Sequence, residues 1–386
     1  MRGAPGCGKS TFIKQMGWEG YTICPDDIRM MYLSTQHKLD GSECINMQTE
    51  QQVWSFVYDL LELRFEHGAF TVLDATNSKT EEMRKARNLA TKYKYRIYMI
   101  DMTNIPISVV KEQNANRYPE YKRVPNDVIE RQYSRFDTQK VPKNIEVIKW
   151  DSFEKTSQMI EDKLRIRLLD FNKYKKVVHI GDIHGCATVL KQAIPRIEED
   201  TMYIFCGDYL DRGIENAEVA KYLSEIIDLP NVMLLEGNHE CHLQNYGTSI
   251  LSKSRQFNRY TVPELTVGGI SPSVVHTIRR RCAQFAYYTY NGYEVLVNHG
   301  GVPYSTPSYL YPARELVHGV GRYDDVQSII DSFNEKSKPY QYQVFGHRNP
   351  MGLPVQNGRC FCLEGRVEFG GNLLQCLLYL TLWFAH

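Results

Sequence analysis

The sequence predicts an α/β protein with two domains that follow one another along the chain. At roughly 150 residues per domain, the 386 residues leave room for two or three domains. Apolar runs of strand length alternate with segments of helical periodicity, first up to residue 169 and again from residue 177, which is typical of parallel sheets covered by helices. Many of these runs end in Asp, Asn or His, at the sheet edge where α/β folds bind ligands.

The composition excludes several classes of protein. Hydrophobic residues make up 42% and charged residues 24%, which are ordinary globular values. No apolar run approaches the roughly 20 residues that cross a bilayer, and the first residues do not resemble a secretory signal. We therefore expect a cytoplasmic protein that does not contact membranes. Since 46 basic residues balance 45 acidic ones, any nucleic-acid affinity must come from local clusters such as Arg279–Arg281.

Ten cysteines occur at irregular spacing, so we expect a reduced chain rather than a disulfide framework. Cys360 and Cys362 form a C-x-C pair without a second pair at zinc-binding spacing. We interpret them as buried strand residues.

The first domain is expected over residues 1–168. Val53, Val57 and Leu61 lie at helical spacing in a segment that ends at Gly68. In chain order the pattern predicts a helix over 48–67, a strand in AFTVLDAT, a helix over 79–94, a strand in RIYMID, a helix from about 105, a strand over 146–149 and a helix to about Leu169. The polar, basic stretch FNKYKK that follows is predicted to be a linker.

The second domain is expected over residues 176–386. Four apolar runs predict strands that each end in polar residues: VVHIGD, MYIFCGD, VMLLEGNHE and EVLVNHGG. From Tyr340 onward, short apolar runs separated by Gly, Asn and Pro predict antiparallel strands.

A phosphate-binding motif opens the chain. Gly3, Gly8, Lys9 and Ser10 satisfy G-x-x-x-x-G-K-[ST], in which backbone N–H groups face phosphates, the lysine reaches the β and γ phosphates and the hydroxyl ligates magnesium. Only Met1 and Arg2 precede Gly3. Either the strand that usually comes before the loop begins outside this sequence, or the sheet lacks that strand. The residues expected to bind ATP are Gly3, Gly6, Gly8, Lys9, Ser10 and Thr11.

Three further segments of the first domain carry charges that phosphoryl transfer would use. Asp26 and Arg29 lie in PDDIR, Asp74 ends the strand AFTVLD, and Arg117 lies in the basic loop NANRYPEYKRVP. Each segment has an ordinary alternative: an acidic first turn of a helix, an N-cap and a solvated loop.

In this order and spacing, GAPGCGKS, PDDIR, DATN and the arginine-bearing loop resemble the 5′-OH polynucleotide kinase family of P-loop phosphotransferases. The resemblance covers roughly residues 1–165. It implies that Asp26 is the general base, that Arg29 holds the acceptor end, that Asp74 supports this arginine or the metal shell, and that Arg117 clamps the donor phosphates. Gln113 departs from the family pattern, and Arg123 is the alternative second arginine of that loop.

The second domain carries a constellation of metal-ligand residue types. Each follows an apolar run, and together they suit two divalent metals that share a bridging carboxylate. These residues are Asp182, His184, Asp208, Asn238, His299 and His347.

GDIHG, GDYLDRG, GNHE, HGG and FGHR resemble the calcineurin-like, binuclear metallophosphoesterases, close to their phosphoprotein phosphatase branch. The resemblance implies a two-sheet sandwich flanked by helices, with Asp208 bridging two metals, manganese being the expected one. It also implies that Arg212 neutralises phosphate oxygens and that His239, oriented by Asp211, protonates the leaving group. Arg348 stands where relatives often have Thr or Ser, which we expect to alter the leaving group or the end that is tolerated.

The two domains together resemble bacterial and phage polynucleotide kinase-phosphatases of RNA repair. This implies ATP and magnesium for the kinase, RNA or DNA ends as substrates, and a ligase as partner. The alternative is a phosphoprotein or dinucleoside-polyphosphate phosphatase with an accessory or defective P-loop domain.

Overall fold

The computed structural model describes residues 1–305, 308–348, 354–379 and 383–385. The chain divides into two units, Met1–Arg165 and Ile166–His386.

The first unit alternates helices and short strands. In chain order these are α1 (Lys9–Gln15), β1 (Thr22–Ile23), α2 (Pro25–Leu33), β2 (Thr35–His37), β3 (Glu43–Ile45), α3 (Glu50–Glu66), β4 (Val72–Leu73), α4 (Thr80–Lys92), β5 (Tyr98–Asp101), α5 (Ile107–Ala115), α6 (Asn126–Thr138), β6 (Glu146–Lys149) and α7 (Phe153–Leu164).

Two strand pairs of the first unit are parallel, as the sequence predicts, whereas β2 and β3 pair antiparallel. β1 pairs in parallel with β4, and β5 pairs in parallel with β6. The backbone of the first two residues joins these pairs: the amino group of Met1 donates to the Leu73 carbonyl at 3.1 Å, and Arg2 N–H donates to the Ile100 carbonyl at 2.9 Å. Met1 and Arg2 thus occupy the place of the strand expected before the phosphate loop.

Helix α3 shows why the periodicity prediction succeeds. Val53, Val57, Leu61 and Phe65 recur every four residues along one face, and all are buried in one cluster with Ile23 of β1. Burying this stripe stabilises the helix against the sheet. The helix predicted to end near residue 169 was extended too far, because α7 ends at residue 164.

The second unit contains more and longer strands. In chain order its elements are β7 (Leu169–Asp170), β8 (Lys176–Ile180), α8 (Ala187–Ala193), β9 (Thr201–Phe205), α9 (Asn216–Ile226), β10 (Val232–Leu234), α10 (Glu240–Gly247), α11 (Val262–Val267), α12 (Pro272–Arg281), β11 (Phe285–Tyr290), β12 (Tyr293–Asn298), α13 (Ala313–His318), α14 (Val326–Lys336), β13 (Gln341–Phe345), β14 (Gln356–Asn357), β15 (Cys360–Cys362), β16 (Gln375–Tyr379) and β17 (Trp383–Ala385).

These strands form two sheets, in the orders β10-β9-β8-β16-β17 and β14-β15-β13-β12-β11-β7. One apolar cluster contains Val177 and Ile204 from the first sheet and Val297 and Phe361 from the second. A second cluster packs the other face of the first sheet against α8, α9 and α12. The expected two-sheet sandwich flanked by helices is therefore confirmed.

Two sequence-based predictions about this unit were wrong. The stretch FNKYKK is not a free linker, because Phe171 and Tyr174 are buried and Phe171 packs on Tyr288 with ring centroids 4.6 Å apart. The strands after residue 340 are not all antiparallel: β13 pairs in parallel with both β12 and β15. Helices α13 and α14 lie between β12 and β13 in the chain and supply the long crossover that parallel pairing requires.

Candidate active sites

The phosphate loop of the first unit holds its lysine in place. Gly6 and Gly8 have φ values of 89° and 91°, a backbone region that favours glycine. Lys9 is buried, and its ammonium donates to the carbonyls of Gly3 at 2.9 Å and Ala4 at 3.0 Å. These neutral acceptors leave the positive charge available to a phosphate.

A cavity of about 1490 Å³ opens in front of this loop. Of the residues predicted for this site, Gly3 does not line the described part of the cavity wall. The structure brings the other predicted kinase residues together along that wall: Gly6, Gly8, Lys9, Ser10, Thr11, Asp26, Arg29, Asp74 and Arg117.

Arg29 has a partner that the sequence analysis missed. Its Nη1 lies 2.6 Å from Asp26 Oδ1, while its Nε and Nη2 lie 2.5 and 2.8 Å from the two carboxylate oxygens of Glu50. Glu50 begins α3, where an acidic residue looks like ordinary helix-dipole compensation. The two-point contact fixes the guanidinium plane and thereby the position of the Asp26 carboxylate.

Asp74 contacts the phosphate loop rather than Arg29. Ser10 Oγ donates to Asp74 Oδ2 at 2.9 Å, which favours the metal-shell alternative over support of the arginine. Hydroxyl and carboxylate oxygens side by side suit Mg²⁺, so the residues fit a magnesium nucleotide. Arg117 Nη1 donates to the Lys122 carbonyl at 2.7 Å, and Arg123 Nε donates to the Arg117 carbonyl at 3.0 Å.

In the second unit, the predicted metal ligands follow the ends of β8, β9, β10, β12 and β13. Three of them have positive φ values: 43° at His184, 52° at Asp208 and 60° at His347. Such a backbone is uncommon for residues other than glycine, and at each of the three it occurs where the chain leaves a strand. The sequence places the residue types, and these turns bring them together.

Asp208 is the centre of the group. Its Oδ2 lies 3.5 Å from His184 Nε2 and 3.3 Å from His299 Nε2. Asn238 Oδ1 lies 3.0 Å from the same His299 nitrogen. The ligand atoms of Asp208, His299 and His347 all lie within 4.8 Å of one another, so a carboxylate shared between two metal positions is sterically feasible.

Buried polar atoms in this group call for a cation. Asp182 Oδ1 and His184 Nδ1 are buried without a hydrogen-bond partner among the described residues, which is costly. Burial and the Glu364 carboxylate hold the pKa of Asp182 well above its usual range. Burial lowers the pKa of His184 and of His347 to about 3, which keeps both imidazoles in the neutral form that binds metals. The donor set of imidazole and carboxylate fits divalent metals.

His239 and Asp211 form a hydrogen-bonded pair beside this group. His239 Nδ1 lies 2.9 Å from Asp211 Oδ2, and Thr261 Oγ1 donates to Asp211 Oδ1 at 3.0 Å. Burial lowers the pKa of His239, but the Asp208 carboxylate and the hydrogen bond to Asp211 outweigh it, so the pKa is raised. A protonated imidazole whose Nδ1 is held by a carboxylate is suited to general acid catalysis through Nε2.

Arg212 also has a partner that the sequence analysis missed. Its Nη1 lies 3.2 Å from His184 Nε2 and 3.1 Å from Glu368 Oε1. Glu364 and Glu368 lie after the last recognised motif, in a Gly-rich segment that carries no recognisable sequence signal. Glu364 lies with Asp182 and His184 in a possible metal-binding group.

The basic cluster at the end of α12 is largely paired. Arg279 lies 2.6 Å from Glu236, and Arg281 contacts Asp228. These acidic partners reduce the charge that the cluster offers to a phosphate backbone.

Comparison with known proteins defines the class of each unit. Residues 1–139 match the AAA domain family, and residues 175–347 match the calcineurin-like phosphoesterases. The chain therefore contains an AAA-type P-loop domain followed by a calcineurin-like metallophosphoesterase domain.

Two curated relatives are phosphatases. The symmetrical bis(5′-nucleosyl)-tetraphosphatase of Marinomonas sp. (strain MWYL1) is 27% identical over 130 residues, which are 32% of this chain and 43% of that protein. Serine/threonine-protein phosphatase 2 of Salmonella typhimurium (strain LT2) is 32% identical over 80 residues, which are 19% of this chain and 35% of that protein. The chain thus spans less than half the length of these relatives. A solved serine/threonine phosphatase from Saccharomyces cerevisiae aligns over 66% of this chain and 89% of that chain, with 17% identity and a TM-score of 0.37.

All ten cysteines lie in the part of the chain that the structure describes, and all are free thiols. Cys360 and Cys362 are buried in β15, as predicted. Among the described helices, none is both long and apolar enough to span a membrane.

Proposed function

We propose that the protein heals the ends of broken nucleic acid strands. The first unit phosphorylates 5′-OH ends of RNA or DNA with ATP, and the second removes 3′-phosphate or 2′,3′-cyclic phosphate ends. The observation that carries this proposal is that Lys9, Ser10 and the Asp26–Arg29 pair line one and the same cavity. Transfer to a hydroxyl needs a base for the acceptor as well as cations for the donor, and this wall offers both.

In the kinase unit, Lys9 binds the donor phosphates, and the Ser10 hydroxyl and the Asp74 carboxylate would hold the magnesium that accompanies ATP. Asp26 accepts the proton of the acceptor hydroxyl. Arg29, oriented by Glu50, keeps this carboxylate in place and faces the acceptor end. Arg117 contributes a further positive charge at the donor side.

In the phosphatase unit, Asp182, His184, Asp208, Asn238, His299 and His347 would hold two divalent metals, for which manganese is our choice. When bound, the metals supply Lewis acidity and an activated water. Arg212 binds the phosphate oxygens. His239 Nε2 donates its proton to the leaving oxygen, while Asp211 holds the opposite ring nitrogen and stabilises the protonated form.

The two activities are compatible only if they act on different ends. A kinase and a phosphatase that shared one phosphate would undo each other's work. A 5′-phosphate and a free 3′-hydroxyl are together the ends that ligation requires, so we propose that a ligase is the downstream partner and that the chain acts in the cytoplasm.

A second candidate function is hydrolysis of dinucleoside polyphosphates or phosphoproteins. It is favoured by the tetraphosphatase and serine/threonine phosphatase relatives of the second unit. This candidate leaves the charged cavity of the first unit without a role.

The test is an RNA with 5′-OH and 2′,3′-cyclic phosphate ends, incubated with ATP, Mg²⁺ and Mn²⁺ and followed at both ends, with the matching 3′-phosphate DNA in parallel. We expect Lys9→Ala to abolish 5′-phosphorylation alone and Asp208→Asn to abolish end dephosphorylation alone. If the wild-type protein alters neither end yet hydrolyses a phosphopeptide or diadenosine tetraphosphate, the second candidate is correct.

A further inference from the structure

Arg348, which stands at the position expected to alter the leaving group that is tolerated, is enclosed by protein and cannot itself contact a substrate. Its side chain is fully buried. Its Nε donates to the Gly300 carbonyl at 2.6 Å, its Nη2 to the Val320 carbonyl at 2.7 Å, and its Nη1 to the Arg322 carbonyl. A buried guanidinium bound to backbone carbonyls on two separate segments fastens those segments to each other.

The segment that Arg348 fastens comprises residues 319–323, hereafter the rim segment. A Cβ on Gly319 would lie 2.2 Å from Arg348 Nη2, and a Cβ on Gly300 would lie 1.9 Å from the Gly319 nitrogen. Both approaches are closer than any side chain permits, so the rim segment lies directly against the backbone next to His299. The position of the rim segment is thus coupled to a candidate metal ligand.

The rim segment ends in an aromatic ring beside the site. The Tyr323 ring packs edge-on against the ring of His347, with centroids 5.5 Å apart and an interplanar angle of 78°. Tyr323 remains 41% exposed. His347 lies in the group formed with Asp208 and His299, so the partly exposed Tyr323 ring lies beside a candidate metal ligand.

We infer that Tyr323 is a specificity-determining residue that stacks against an aromatic ring in the leaving group of the substrate. A tyrosine held at one end presents a rigid π-face at low entropic cost, and nucleobases stack on such faces irrespective of sequence. That the ring is a nucleobase rests on the proposed function. Arg348 is a positioning residue, which acts by fixing the rim segment that carries Tyr323.

The experiment compares how Tyr323→Ala changes the hydrolysis of three phosphomonoesters by the full chain with Mn²⁺. Adenosine 3′-monophosphate carries a nucleobase, p-nitrophenyl phosphate carries a simple aromatic ring, and β-glycerophosphate carries none. For each substrate, KM and kcat of the variant are divided by the wild-type values, so that differences in intrinsic reactivity between the substrates cancel. We expect KM for the two aromatic substrates to rise about 5- to 150-fold and kcat to stay within about twofold. Both constants for β-glycerophosphate are expected to be unaffected.

Tyr323→Phe keeps the ring and is expected to restore wild-type KM. Tyr340→Ala, another partly exposed tyrosine, is the matched control and is expected to change nothing. Equal losses on all three substrates, or unchanged KM on both aromatic ones, would overturn the inference. If Tyr323→Ala weakens p-nitrophenyl phosphate binding but the wild-type protein acts on no nucleic acid end, the stacking role stands and the proposed function fails.

Arg348→Lys tests the positioning role, because an ammonium cannot reach all the carbonyls that the guanidinium holds. We expect the same KM-selective loss on aromatic substrates as in Tyr323→Ala. A folded Arg348→Lys variant with wild-type KM for p-nitrophenyl phosphate contradicts this role. Should the variant fail to fold, the Tyr323 substitutions alone decide the inference.

Discussion

Replacing Asp211 by Asn tests whether His239 protonates the leaving group. The two side chains meet at 2.9 Å and are 2% and 11% exposed, so solvent screens the contact little. A hydrogen bond to a charged group contributes about 1.5–3 kcal/mol, and about 1.4 kcal/mol corresponds to a factor of ten in rate. We therefore expect kcat for β-glycerophosphate, whose alkoxide must be protonated as it leaves, to fall about 10- to 150-fold.

The assay compares β-glycerophosphate with p-nitrophenyl phosphate, whose phenolate leaves without a proton. The second substrate is expected to lose less than about threefold in kcat, since general acid catalysis contributes little to a good leaving group. Because Asp211 raises the pKa of His239, the loss of activity at rising pH moves to lower pH in the variant. The control is Asp228→Asn, a change of the same kind at an exposed position. Equal loss on both substrates would refute the role of His239 as an acid.

Two further predictions concern residues that the sequence did not single out, and a third concerns the metals. Glu50→Ala removes two contacts to Arg29, and we expect 5′-phosphorylation to fall at least about tenfold with phosphatase activity as the internal control; unchanged phosphorylation would show that Arg29 needs no such support. Glu368→Gln removes a negative charge next to Arg212, so KM for p-nitrophenyl phosphate should fall about three- to tenfold because the arginine is no longer shared, whereas a higher KM would contradict this reasoning. Dialysis against a chelator should abolish hydrolysis and lower the melting temperature, with Mn²⁺ restoring both, because the buried carboxylates then lack a counter-charge; a melting temperature indifferent to Mn²⁺ would be the contrary result.

Much of the fold could be predicted from local pattern. Helix α3 lies where periodicity places it, because it buries a face that recurs every four residues. Strand β6 occupies the predicted residues 146–149. The sequence-based predictions were wrong where a residue's environment is formed by residues far away in the sequence. Phe171 and Tyr174 stand among lysines in a stretch that looks polar, yet their rings are buried in the sandwich.

The sequence by itself determined which chemical groups the two sites contain. Motifs such as GAPGCGKS and GDYLDRG are short, and the residues within them are held together by covalent geometry, so their chemistry can be recognised before the chain folds. The order of strands and helices is likewise a property of local periodicity.

Only the tertiary structure decided the partners of these groups. Glu50 reaches Arg29 across 21 residues, Glu368 reaches Arg212 across 156, and Arg348 reaches Gly300 across 48. No local pattern encodes such contacts, because a side chain meets its partner only where folding returns the chain to the same place. The charge state and orientation of the catalytic groups therefore follow from the packing of the sheets and helices that carry them.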